Sequence, residues 1–452
     1  MDPSSAPVRD RTDRCPGILR LHEAADGAMA RVRLPGGRIS RAGLIAVAEV
    51  ASSAGNGLVE LTSRASLQIR GLDPCSGEAV AERLRAGRLL ASLAHDRVRN
   101  VLASPVAGRH PRSLAGVDAL VGMLDRALCA DPALAALPGR FLFAVEDASA
   151  TIAWERADVA LVAEPARSPH AARPGAHEHA PSACAPSDDP ERAFRLWVGG
   201  ARTTLWAWEP DAARLALDGA RAFLALLDDA DKGGAWRVAD VADGPARVAR
   251  ALGGALESAD VVAPPSLALE LSGALGGRRC GGSDRRSIAV GELAQRDGRR
   301  ALTALAPLGR LDGAAVLRLA SVVDEARLST ARTLTIVDVP TGDVAQLAAE
   351  LSALGLVTAA GSGWHGLSAC AGLGACTRAR VDVRAAATLR VRVRGAQAVT
   401  EHWSACERGC GMPAGVAASV VASADGLCVE TPAGSRLAPD VAAALELLGG
   451  AA

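Results

Sequence analysis

One stretch of this chain is written twice. Leu34-Pro35-Gly36-Gly37-Arg38-Ile39-Ser40 returns as Ala306-Pro307-Leu308-Gly309-Arg310-Leu311-Asp312, and each copy leads into a run with apolar residues at helical spacing. In the first run Leu44, Val47, Ala48 and Ala51 share a face; in the second Val316, Leu319, Ala320 and Val323 do. Ser40 and Asp312 stand where N-caps belong, because a short side-chain oxygen there takes one of the free amide protons of the first turn. Further on, Thr62 to Ile69 and Ser329 to Ile336 have alternating tails that predict strands, and helical patterns near Glu78 to Leu90 and Asp343 to Leu354 close each unit. A strand, helix, strand, helix order used twice predicts two similar α/β modules packed about a pseudo-twofold axis. The shared Gly-Arg turn and the hydroxyl-rich approach to each second strand favour duplication over a chance likeness of two alanine-rich helices.

The rest of the chain is too long for these modules alone. With 452 residues, 49% of them hydrophobic, two to four domains are expected. Fifty basic residues balance fifty acidic ones, so no overall field selects nucleic acid or an anionic membrane as partner, and any anionic ligand must be held by a local cluster. Lys232 is the only lysine, which makes arginine the available cation and its planar fork the available carboxylate ligand. Met1 to Arg14 has no apolar segment and no apolar run reaches membrane-spanning length, so a soluble cytoplasmic protein is expected. Residues 164–191, rich in Pro, Ala, Ser and His, read as a surface insertion; His170, His177, His179 and Cys184 within it make only a weak metal motif. Gly276 to Arg286 reads as a linker, and Cys280 in it has no assigned role.

Ten cysteines in a chain without a secretory leader point to metal or redox chemistry at a subset of them. The subset is Cys370-x5-Cys376 followed by Cys406-x3-Cys410. Gly372, Gly374, Gly409 and Gly411 beside them let backbone amides approach inorganic sulfide without side-chain obstruction. Soft thiolates select an iron-sulfur cluster or zinc, and the five-residue gap is wider than the two to four typical of structural zinc. Cys15, Cys75, Cys129, Cys184, Cys280 and Cys428 show no such pairing and read as ordinary small hydrophobes.

At these residues the chain resembles the nitrite and sulfite reductase superfamily. His402-Trp403-Ser404-Ala405-Cys406-Glu407-Arg408-Gly409-Cys410-Gly411-Met412-Pro413 is similar to that family's second cluster segment. Cys15 to His22, Leu61 to Leu72 and Arg99 to Pro105 look most like the precorrin-3B synthase branch. The resemblance implies an α+β fold: two ferredoxin-like half-domains related by internal duplication, interleaved with two α/β domains of the nitrite/sulfite reductase type that bind cluster and substrate. The implied boundaries are 12–75 and 287–358 for the half-domains, 76–275 for the first α/β domain with its insertion 164–191, and 359–450 for the iron-sulfur domain.

It also implies a [4Fe-4S] cluster on Cys370, Cys376, Cys406 and Cys410, and leaves open a second iron centre, non-haem iron or sirohaem. Arg64 and Arg99 match basic family positions that hold tetrapyrrole and anion, and Arg140 matches a third; the next basic position is Leu142 here. Losing that cation weakens reduction of a small oxyanion and leaves binding of a large polycarboxylate unharmed. Arg70 completes the expected substrate-binding set. The implied reaction is oxygen-dependent hydroxylation of precorrin-3A at C20 with closure of the ring A acetate to a γ-lactone, in aerobic cobalamin synthesis. No Gly-x-Gly-x-x-Gly follows a strand, so electrons are expected from a separate donor protein. The rivals are a sirohaem sulfite or nitrite reductase and a non-catalytic zinc or electron-carrier protein. His22, His95, His365 and His402 stay outside the expected ligand set, and no residue is assigned to the reacting carbon.

Overall fold

The computed structural model describes residue 13 and residues 15–165, 192–227, 234–257, 288–395, 399–413 and 415–449. His170, His177, His179, Cys184, Lys232 and Cys280 lie outside the described residues. The described chain is mixed α+β, with strands in four sheets of five.

The duplicated segments build two antiparallel sheets. The first runs β1 (His22–Ala24), β2 (Gly27–Val32), β5 (Leu67–Leu72), β4 (Leu58–Leu61), β13 (Arg310–Asp312). The second runs β11 (Gly291–Ala294), β12 (Arg300–Leu305), β15 (Thr333–Val339), β14 (Glu325–Leu328), β3 (Arg38–Ser40). Each sheet therefore ends on a strand taken from the other copy: Ile39 of β3 pairs with Ala326, and Leu311 of β13 pairs with Val59. This exchange goes beyond the expected pair of separate modules, since a pattern of short-range periodicity does not specify which distant strand fills an edge.

The caps and turns follow the sequence. Ser40 accepts from Gly43 N at the start of α1 (Arg41–Ala54), and Asp312 accepts from Ala314 N and Ala315 N at the start of α6 (Gly313–Val322). α2 (Gly77–Ala86) and α7 (Val344–Ala353) close the two units. α1 packs on α6, and Leu44, Val47, Val316 and Leu319 join Ile39, Leu61, Leu311 and Leu328 in one core shared by both copies. Each such side chain contributes roughly 1.5–3 kcal/mol when fully buried, so neither copy has a core of its own to retreat to. The turn glycines are held at close quarters. A methyl on Gly37 (φ 70°) would sit 2.3 Å from Leu328 O, and one on Gly309 (φ 72°) would sit 2.9 Å from Leu61 O.

The two α/β parts repeat one topology. In the third sheet β6 (Val101–Ala103), β7 (Phe143–Glu146) and β8 (Val159–Glu164) run parallel, and β9 (Ala193–Val198) and β10 (Ala201–Trp208) complete it antiparallel. In the fourth, β16 (Leu367–Ala369), β17 (Glu401–Ser404) and β18 (Ala418–Ala422) run parallel, followed by antiparallel β19 (Leu427–Thr431) and β20 (Gly434–Ala438). Around the third sheet lie α3 (Asp118–Ala130), α4 (Glu209–Leu226) and α5 (Gly244–Ala251), over a core of Phe141, Phe143, Phe194 and Phe223. Around the fourth lie α8 (Val383–Val391) and α9 (Val441–Gly449), over Trp403, Val420 and Val429. The duplication thus reaches past the segments where it can be read in sequence. Among the described residues no helix is long and apolar enough to cross a membrane.

Candidate functional site

Cys370 directly follows β16 and Cys406 comes two residues after β17, so both leave the carboxyl ends of adjacent parallel strands, the edge at which α/β sheets present ligands. Cys370 N donates to Trp403 O at 3.0 Å, and Ala405 N donates to Cys370 Sγ at 3.2 Å, which ties the two segments together. Beneath them Glu401, fully buried, accepts from Arg394 Nη1 (2.6 Å), Arg390 Nε (3.1 Å) and Trp403 Nε1 (2.6 Å), anchoring β17 to α8. Burial pushes the Cys410 thiol up; Arg408 pulls it down, and Cys406, Cys370 and Cys376 push it up again as neighbouring incipient thiolates. The four sulfurs of the two motifs therefore share one electrostatic neighbourhood. Among the described residues no three His, Cys, Asp or Glu side chains are close enough together to hold a metal ion as they stand.

The charge around the pocket fits the same group. Arg384 Nε donates to Cys370 O (3.1 Å) and Ala371 O (3.0 Å), while its Nη2 reaches Glu60 of β4 at 3.0 Å. Arg70 Nη2 donates to Ala375 O at 3.0 Å, beside Cys376, and the same guanidinium holds Asp26 in two-point fashion at 2.8 and 2.9 Å. Glu60 also pairs with Arg310 at 3.3 Å, and it is the one acidic side chain that acts on Arg332. Three guanidiniums thus lean on one carboxylate. Such a surplus of positive charge is costly in an empty pocket and is matched by four thiolates around a cluster. His402, fully buried, exchanges a hydrogen bond with Ser368 Oγ at 2.8 Å; burial and the nearby charge of Arg332 hold its imidazole down at about 4, so it stays neutral.

A second cluster lies on the same face of the first sheet. Arg31, Gln68, Glu60 and Arg310 occupy one cross-strand row over β2, β5, β4 and β13. With strands about 4.8 Å apart, that row spans roughly 14 Å. Glu60 and Arg310 mark its cysteine end. At its other end Arg31, Arg33, Arg64 and Arg140 gather, and none of the four has a carboxylate in an ion pair among the described residues. Arg31 meets the Gln68 amide oxygen at 3.2 Å (Nε) and 2.5 Å (Nη2). Arg33 donates to Asn100 Oδ1, Pro16 O and Asp96 O, and its buried Nη2 has no partner. Arg64 Nη1 makes long contacts to Arg140 O (3.3 Å) and Gly139 O (3.5 Å). Arg140 lies over the Trp236 ring, 4.3 Å from its centroid. Burial, with Arg31 as a like-charged neighbour, brings the Arg33 guanidinium down to about 9, and burial brings Arg64 down to about 10. Arg33 is buried, Arg31 and Arg64 are half-buried and Arg140 is exposed at the rim, so these cations without a carboxylate partner offer a site to an anion with several carboxylates.

Arg64 and Arg140, expected to bind substrate, are thus brought together. Arg99 and Arg70 are placed elsewhere. Arg99 is buried with Nε and Nη2 on Asp125, both at 2.7 Å, and Nη1 on Leu89 O, so its donors are already engaged inside the fold. Arg70 belongs to the cysteine loop, as described above. Leu142 is buried in the shared core, so no cation stands at that position. Sequence reasoning missed Arg31 and Arg33, although comparison of the repeats contained the signal: their counterparts ahead of the second turn are Thr303 and Leu305. His95 is held on both ring nitrogens by Ser92 Oγ and Asp131 O, a structural role.

Residues 22–87 match the family model described as the nitrite/sulfite reductase ferredoxin-like half domain. Over 72 residues the chain is 35% identical to a precorrin-3B synthase of Sinorhizobium sp, a stretch that spans 16% of this chain and 16% of that relative. The fold is similar to the structure of the Mycobacterium tuberculosis NirA protein, with a TM-score of 0.64 at 17% identity over 92% of this chain and 80% of that one. The α+β architecture with ferredoxin-like half-domains and two α/β domains is therefore that of the nitrite and sulfite reductase fold.

Proposed function

We propose that this chain is an oxidoreductase that works on a carboxylate-rimmed tetrapyrrole, with a [4Fe-4S] cluster on Cys370, Cys376, Cys406 and Cys410 as its electron store. The observation that carries the reading is the arginine group free of carboxylate partners, Arg31, Arg33, Arg64 and Arg140, on the same sheet face as the four-thiol pocket. The cluster, when bound, supplies single electrons. The protein's own part is to hold acetate and propionate arms by charge-assisted hydrogen bonds, and to keep the macrocycle within roughly 14 Å of the thiols along the row from Arg31 to Arg310.

Within that class the reading is precorrin-3B synthase: hydroxylation of precorrin-3A at C20 with dioxygen and γ-lactone closure. It is favoured by the matched stretch to such an enzyme and by Leu142, an apolar residue where a small-oxyanion site needs a second cation. Electrons would come from a separate donor protein, and oxygen activation would be supplied by a second iron centre, non-haem or sirohaem, were one bound. The test is anaerobic purification with iron and sulfide counts, then incubation with precorrin-3A, oxygen and a reductant, following product mass. Unchanged precorrin-3A together with active sulfite reduction refutes it. The second reading, a sirohaem sulfite or nitrite reductase, draws on the fold shared with NirA across 92% of the chain. A strong Soret band in the purified protein and reduction of sulfite or nitrite would select it.

A further inference from the structure

We infer that Arg332 sets the working potential of the redox centre at the four cysteines, by holding an unpaired positive charge against the Cys410–Gly411 turn. The inference rests on the cluster reading above and adds a residue to which the repeat, not the cysteine motif, points.

The pseudo-twofold axis places Arg332 opposite Ala65. Gly37 approaches Leu328 O and the Ala65 Cβ, the latter at 3.4 Å from an added methyl; Gly309 approaches Leu61 O and the Arg332 Cδ, the latter at 2.5 Å. The two turns, 62–66 and 329–333, therefore occupy equivalent places, and Ala65 (φ 50°) and Arg332 (φ 61°) share the same left-handed backbone. That conformation disfavours any residue but glycine. One copy fills the position with a methyl group, and the other with a guanidinium.

The guanidinium reaches the cysteine pocket. Arg332 Nη2 lies 3.9 Å from where a Gly411 Cβ would stand, and His402 Cε1 lies at the same distance. His402 is fully buried, with Nδ1 on Ser368 and the backbone of Cys410 beside its ring. The other buried or half-buried arginines at this pocket are tied down, Arg70 by Asp26, Arg384 by Glu60 and two carbonyls, Arg310 by Glu60, while Arg408, which also acts on the Cys410 thiol, stands exposed in water. Arg332 is partly buried, and its guanidinium has neither a hydrogen bond nor an ion pair among the described residues. A cation fixed beside a cluster stabilises the more negative, reduced form and raises the potential, more so where water is thin.

The experiment uses the full chain, reconstituted anaerobically with iron and sulfide, and reads the cluster by electron paramagnetic resonance during titration with dithionite. Arg332→Met and Arg332→Gln are expected to keep the wild-type iron and sulfide content. At the wild-type midpoint their reduced-to-oxidised ratio is expected to fall about tenfold, equivalent to about 59 mV for one electron, with Arg332→Lys recovering most of it. Full clusters with ratios within twofold of wild type in both neutral variants overturn the assignment of Arg332 and leave the cluster standing. A wild-type protein that takes up no iron or sulfide overturns both. If Arg332→Met loses its cluster, Arg332→Gln decides, because it keeps amide donors in place without the charge.

Discussion

Replacing Arg64 by methionine is expected to loosen the ligand and not the fold. The Arg64 guanidinium gives the protein little: one nitrogen touches two carbonyls at 3.3 and 3.5 Å, at the limit of hydrogen-bond geometry, and among the described residues its other donors have no acceptor. It also takes something away, since burial brings its guanidinium down to about 10 and so disfavours the charged form. Arg64→Met should therefore melt at the same temperature as the wild type or higher when both are ligand-free. A carboxylate arm loses one charge-assisted contact, worth about 1.5–3 kcal/mol, so tetrapyrrole affinity should drop about 10- to 150-fold. Paired measurements decide: thermal denaturation of the ligand-free proteins, and absorbance titration with precorrin-3A or another carboxylated tetrapyrrole. A variant that melts several degrees lower, or that binds within twofold of wild type, refutes the view that this arginine is kept for an anion.

Arg99→Met should behave in the opposite way, costing roughly 3 kcal/mol or more of stability by stranding Asp125, with tetrapyrrole affinity of the folded fraction unchanged; urea denaturation and the same titration separate the two. Glu401→Gln leaves Arg390 and Arg394 buried without a counter-charge and should cost roughly 3–5 kcal/mol, read as a lower urea midpoint. Affinity for the tetrapyrrole should weaken as pH rises past about 9, where ligand-free Arg33 (about 9) and then Arg64 (about 10) give up protons that bound carboxylates need. The unfolded chain keeps those protons to higher pH, so over the same window the free protein should gain stability while it loses affinity; flat affinity across about pH 7.5 to 10.5 would count against the arginine group.

What could be read from sequence was what short-range chemistry fixes. Caps at Ser40 and Asp312, the paired turns, the apolar faces of α1 and α6, and the two cysteine motifs are all local patterns, and the structure repeats them. The exchange of β3 and β13 was hidden because pairing between residues 39 and 326 is a matter of tertiary closure, not of periodicity. Arg99 and Arg70 illustrate a different limit. A motif shows that an arginine is present, but only the fold shows that Asp125 and Asp26 already occupy it. Arg31 sits in, and Arg33 directly follows, an alternating strand whose other face is core, and they stand out only once they are set against Thr303 and Leu305.

The traded edge strands constrain how such a chain can change. Because each half lends the other a strip of backbone, a fragment cut between them would expose an open sheet margin and half of a common interior, and two such fragments would be driven to embrace as a dimer. Fused into one polypeptide, that embrace is permanent, and the partners no longer have to be alike. One can specialise in sulfur and the other in guanidinium, and here they have done so: the thiols follow the later parallel strands, and the carboxylate-free arginines cluster around the earlier sheet.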